Sequence, residues 1–113
     1  MNNINFNNKK FILLENSKSG TVNSTTIFEY QQSGNLVTAN YQGGTIKYGK
    51  IIAHKKKDEL FMLYQCITME NELKAGKAIA KISLTKNNKI KLKLNWKWLT
   101  DDFSTGTSEY IEL

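Results

Sequence analysis

The residues in this chain best equipped for chemistry are aromatic. Tyr30, Tyr41 and Tyr48 fall on three successive extended runs, and Tyr64, Trp96 and Trp98 follow on later ones. Each brings a large apolar body and one polar handle, which needs a partner when buried. Several such groups facing one another make an apolar pocket with a few hydrogen-bonding atoms, the general form of a small-molecule site. These six are the candidate ligand-binding residues. The pattern leaves two outcomes open, since the same side chains either line a cavity or fill it.

Other constellations offer less. His54 and Cys66 are the single histidine and the single cysteine. A Cys–His dyad needs both in hydrogen-bond reach. His54 adjoins the lysine run Lys55–Lys57, which reads as solvated, while Cys66 sits in an apolar run as a small hydrophobe. Glu29 lies between Phe28 and Tyr30, so it points opposite to them, and outward is the expected direction. Asp101, Asp102 and Glu109 read as a turn and an outer face rather than as a metal site, which needs several ligands at fixed spacing. No catalytic residue, metal or cofactor is expected.

The elements that must position the aromatics are strands. Apolar and polar residues alternate with period two through most of the chain, and helical periodicity is nearly absent. Strands are expected at 9–16, 25–32, 36–42, 45–53, 59–68, 74–85, 89–99 and 104–112. Polar connections such as "SKSGTVNS", Ser33-Gly34-Asn35, Gly43-Gly44, "HKKKD" and "MENEL" separate them. The clearest strand, "KIKLKLNWKWL", puts Ile90, Leu92, Leu94, Trp96 and Trp98 on one face and Lys89, Lys91, Lys93, Asn95 and Lys97 on the other. One face is dry and the other wet. Eight consecutive antiparallel strands leave two exposed edges unless the sheet closes on itself. An all-β, eight-stranded, antiparallel up-and-down barrel is therefore expected, with a strongly curved, incompletely closed sheet as the alternative. The whole chain is read as one barrel domain, with residues 1–8 as a loosely attached N-terminus.

Composition narrows the function classes. The chain has 113 residues, is 40% hydrophobic and 23% charged, as expected of a globular domain. Its apolar runs fall far short of the ~20 residues of a membrane helix, and "MNNINFNNKK" has no signal-like apolar stretch. With a lone cysteine, this points to the cytoplasm. The net charge of +6 comes entirely from lysine. Without arginine the usual fork for guanine and phosphate is missing, so nucleic acid is not an expected partner. The partners expected are a small, largely apolar ligand and, at most, a second copy in a weak homodimer. The alternative is an interaction module in which Lys89, Lys91, Lys93 and Lys97 meet an acidic partner.

The stretch "SGTVNSTTIFEYQQSGNLVTANYQGGTIKYGKIIA", followed by "LFMLYQCI", "KIKLKLNWKW" and "DFSTGTS", resembles a family of small bacterial proteins of about this length. The shared elements are "FEY", "Y-x-GG-x-I-x-x-G" and "W-x-W", and the resemblance covers nearly the whole chain. It implies a small β-barrel similar to those of avidin and the lipocalins, and no established activity. Some members carry the label N-acetylglutamate synthase. An acetyltransferase of the common type needs a glycine-rich loop and a helix N-terminus for the pyrophosphate of acetyl-CoA, and the sequence offers neither.

Overall fold

The alternation in the sequence is the alternation of a barrel wall. The computed structural model describes residues 4–16, 25–101 and 103–113. Its strands are β1 (Lys9–Asn16), β2 (Ile27–Ser33), β3 (Leu36–Gly43), β4 (Ile46–Lys56), β5 (Glu59–Thr68), β6 (Leu73–Leu84), β7 (Ile90–Trp98) and β8 (Thr105–Glu112). Each pairs antiparallel with the next, and β8 returns to β1, so the sheet closes without an edge. The incompletely closed alternative is excluded. The polar loop at 17–24 and Asp102 lie outside the described residues.

Inward positions carry the core. Val37, Ala39 and Tyr41 on β3, and Ile90, Leu92, Leu94, Trp96 and Trp98 on β7, are all buried. Lys47 and Lys93 stand in solvent, and Lys91 is half-buried against Glu109 at 3.1 Å. Glu29 is outside as expected, 3.7 Å from Lys10. Such exposed pairs add at most about 1 kcal/mol each. Small inward residues (Ala39, Ala53, Ala78, Ala80) alternate around the wall with large ones, which keeps its interior from overfilling.

One end of the barrel is plugged. The loosely attached N-terminus expected from sequence is corrected here for residues 4–8; residues 1–3 lie outside the described residues. Phe6 is fully buried, with ring centroids 5.9 Å from Phe11 and 5.5 Å from Tyr30. Its N–H donates to Gln32 Oε1 at 2.9 Å, and Asn8 N–H donates to the Tyr30 carbonyl at 3.0 Å. An asparagine-rich segment reads as solvated, but one phenylalanine with a socket waiting outweighs that composition. At the same end Glu112 accepts from Ile90 N–H at 2.9 Å and pairs with Lys9 at 3.2 Å. Burial works against its charge, yet these partners hold its carboxyl below the usual carboxylate range.

The connection between β4 and β5 is tighter than "HKKKD" suggests. β4 runs on to Lys56, and only Lys57 (φ 56°) and Asp58 turn. At the opposite end the β3–β4 turn uses Gly43 (φ 115°) and Gly44 (φ 61°). A Cβ on Gly43 would stand 2.4 Å from the Thr25 carbonyl oxygen, so no larger residue fits.

Candidate functional site

The end opposite the plug carries the polar aromatics. Its rim is tied by main-chain bonds between connections: Met69 N–H to the Thr45 carbonyl at 2.9 Å, and Leu99 N–H to the Ala75 carbonyl at 2.8 Å. Behind the rim, β3, β5, β7 and β8 project Tyr41, Tyr64, Cys66, Trp96, Trp98 and Ser108 inward, with Tyr110 deeper in the barrel opposite Leu92. Tyr64 meets Trp98 edge-on at 5.9 Å, and the two indoles lie 6.0 Å apart. Phe28 sits between two phenols, 4.6 Å from Tyr41 and 4.9 Å from Tyr110.

Trp96, Tyr41 and Tyr110 hold their polar handles in local pairs, Tyr110 with Ser108. Trp96 Nε1–H donates to Ser108 Oγ at 2.7 Å. Tyr41 O–H donates to the Gln65 carbonyl at 3.4 Å and also lies in hydrogen-bond contact with Cys66. Burial pushes the phenols of Tyr41, Tyr64 and Tyr110 well above their ordinary range; the neighbouring thiol and phenols push Tyr41 and Tyr64 further, while a hydrogen bond with Ser108 partly opposes the shift of Tyr110. Burial likewise raises the Cys66 thiol, opposed by Tyr41 and by the charge of Lys74. The group is therefore neutral at pH 7, rich in O–H, S–H and N–H, and walled by rings.

Phe6, Phe11, Leu60 and Leu92 toward the plugged end touch no solvent, and neither does Thr26 at the other end, where Cys66, Trp96 and Trp98 are 5%, 7% and 8% exposed and Tyr64 is partly buried.

Four of the six sequence-derived candidates meet here: Tyr41, Tyr64, Trp96 and Trp98. Two do not. Tyr30, the middle residue of β2, is buried in the plug with Phe6 and Phe11. Tyr48 is on the outer wall, 46% exposed, donating to Asn40 Oδ1 at 3.2 Å. Strict alternation from the inward Ile46 would place Tyr48 inside. A β-bulge intervenes, in which Ile46 and Tyr48 oppose the adjacent residues Thr68 and Ile67, so the phase flips and Gly49, Ile51 and Ala53 point inward instead. The Cys–His pairing is excluded by placement: His54 is exposed near the plugged end, and Cys66 is buried at the other.

Tyr110, Ser108 and Phe28 belong to the group and were not among the candidates. The signal was present for two of them, because "TSEYIE" places Ser108 and Tyr110 on one face. A serine there does not look like core until it is seen holding an indole. Lys74, on the inward phase of β6, was also missed.

A sequence profile of the avidin-like protein family matches residues 4–113. The chain belongs to this family. The match spans every strand of the barrel, in agreement with the resemblance read from the Tyr-Gly-Gly and Trp-x-Trp elements. No curated protein and no solved structure gives a significant match.

Proposed function

We propose that the avidin-like barrel binds one small, largely apolar molecule at its aromatic end, held among Tyr41, Tyr64, Trp96, Trp98 and Tyr110. The observation that carries this reading is the asymmetry of the interior. Phe6, Phe11, Leu60 and Leu92 fill one end with the single phenol of Tyr30, while Tyr41, Tyr64, Cys66, Trp96, Trp98 and Ser108 gather hydrogen-bonding side chains toward the other. A packed barrel needs no such division. An occupant would lie flat against indole and phenol rings and offer acceptors to neutral donors. The lone cysteine, free and without a disulfide partner in the chain, is the reason we assign the protein to the cytoplasm.

Both tryptophans of the chain are in this group, so tryptophan emission reports on it directly. Titration with 4-iodobenzamide, whose iodine quenches indole emission on contact, tests the reading. Saturable quenching that weakens in Tyr64→Ala supports it. Only linear, collisional quenching up to about 1 mM, the weakest affinity worth assigning to a site, would remove it.

A second reading rests on the outer wall, where Lys77 stands directly opposite Lys97 and Lys81 opposite Lys93. Like charges so placed cost stability, and an acidic partner relieves that cost. Its test is retention of an acidic peptide that falls with salt as screening shortens. Lys81 already has Asp58 and Glu59 within 4 Å, which weakens the demand for such a partner.

A further inference from the structure

Strands β3 to β6 turn five large apolar side chains outward, and these adjoin one another. Ile52 stands directly opposite Leu63, and Phe61 opposite Ile79. Leu36 faces His54, two residues along from Ile52. All five are at least 40% exposed. Single exposed apolar residues are ordinary, whereas a contiguous patch marks a contact surface. The same rung then turns basic: Leu63 is paired with Lys77, and Lys77 with Lys97. Both lysines are exposed, and neither has an ion pair among the described residues, whereas Lys81 and Lys91 on the same strands are paired with Asp58, Glu59 and Glu109. Together these side chains line one shallow groove of about 820 Å³ across the strands from β3 to β8, with no aspartate or glutamate in its lining.

We propose that this groove docks an amphipathic helix of a partner protein, with an apolar face of about three turns and carboxylates at one end. The inference is independent of the aromatic-end reading; it rests on the lysine-wall reading and goes beyond it by fixing the surface and the shape of the partner. Closure of the barrel removes every free strand edge, so an extended segment finds no ladder to join. Recognition falls to side chains, and a helix laid across the strands presents a continuous apolar stripe to them. From β3 to β7 the groove crosses four strand spacings of ~4.8 Å, which is ~19 Å, or about 13 residues of helix. Apolar residues three and four apart meet the patch, and carboxylates about one turn further reach Lys77 and Lys97. A second copy of the chain does not supply them. A two-fold contact sets one patch against itself, and this groove holds no acid of its own. A bilayer is flat and meets the rims of a groove rather than its floor.

The test is fluorescence anisotropy with three dye-labelled helical peptides of about 14 residues. One carries leucines along one face and glutamates at one end, the second has the same composition with the stripe scrambled, and the third has lysines for the glutamates. Each is titrated into the unaltered protein, Leu63→Ser and the double variant Lys77→Glu with Lys97→Glu, all altered side chains being exposed. The striped acidic peptide is expected to bind saturably, about fivefold tighter than its lysine counterpart, as two exposed ion pairs allow. Salt should narrow that preference. Leu63→Ser weakens both striped peptides alike, and the double variant reverses their order. That variant still carries net positive charge, so neither net charge nor loss of fold produces a reversal. If the scrambled peptide binds as tightly as the striped one, the lysine-wall reading stands and the docked helix falls. If no peptide binds up to about 1 mM, both fall. A dimer of the unaltered protein that Leu63→Ser dissociates, or flotation with phosphatidylserine vesicles in place of peptide binding, would overturn the proposal in favour of a second copy or a membrane.

Discussion

The ring of Tyr41 lies flat across the backbone of Gly49, its cross-strand partner. A Cβ added to Gly49 would stand 2.2 Å from Tyr41 Cζ. The bulge that turns Tyr48 outward is what brings Gly49 into this inward position. Gly49→Ala therefore has to expel the ring. The expected cost is about 2 kcal/mol, the usual range for overpacking a core, read as a lower urea midpoint. Adding Tyr41→Ala should recover part of the loss, so the double variant is less destabilised than the sum of the singles. Strict additivity would show that the contact is not what excludes alanine. Tyr64 covers Gly76 in the same way, with Tyr64 Cε1 2.6 Å from the would-be Cβ.

Phe6 lies outside the strands and yet has no exposed surface. Phe6→Ala is expected to destabilise the barrel by about 3 kcal/mol, the lower end for emptying a phenylalanine site in a core. A change within about 0.5 kcal/mol, as for an ordinary surface substitution, would mean that residues 4–8 do not plug the barrel.

The indole N–H of Trp96 has Ser108 Oγ as its partner in a buried setting. Ser108→Ala leaves that donor without an acceptor, at a cost of about 1–3 kcal/mol. In the proton NMR spectrum the Trp96 indole resonance should move and exchange faster with solvent, while that of Trp98 changes less. An unshifted Trp96 resonance would contradict the pairing.

Four of the five tyrosines resist ionisation, chiefly through burial: Tyr30, Tyr41, Tyr64 and Tyr110. Their folded pKa values lie above the unfolded value near 10, so the folded state keeps protons that the unfolded chain releases. Stability from this source is fully present below pH 10 and falls as pH rises beyond it. Each fully buried phenol contributes a slope of up to about 1.4 kcal/mol per pH unit, and Tyr64, less buried, contributes less. Ultraviolet titration should show most phenol ionising only together with unfolding. Smooth ionisation of all five near pH 10 in a folded protein would overturn the burial assignment.

How far the sequence could be read follows from what each element depends on. The eight strands were legible because alternation is a local property, and the lysines of β7 mark the wet face outright. Barrel closure followed from counting edges. The position of Tyr48 was not legible, because a bulge adds one residue without a distinctive sequence mark and reverses every face after it. Tyr30 was read onto the correct face but could not be assigned to an end, since face is set by parity and depth by register around the whole barrel. Phe6 was hidden by its asparagine neighbours. Lys74 was missed for the reason that located the others: lysine on a strand is normally a sign of solvent, and at a barrel rim an inward phase and solvent contact coexist.

The central claim is that the aromatic end of the barrel is a binding site, and the most direct measurement is the position of a bound probe. Crystals grown with 4-iodobenzamide give an anomalous iodine signal that locates the molecule independently of the protein phases. The expected result is a single strong peak inside the barrel within contact distance of Tyr64, Trp96 and Trp98. Iodine only on the outer wall, beside the exposed cross-strand pair Ile52 of β4 and Leu63 of β5, with side chains filling the space behind Trp96, would contradict it.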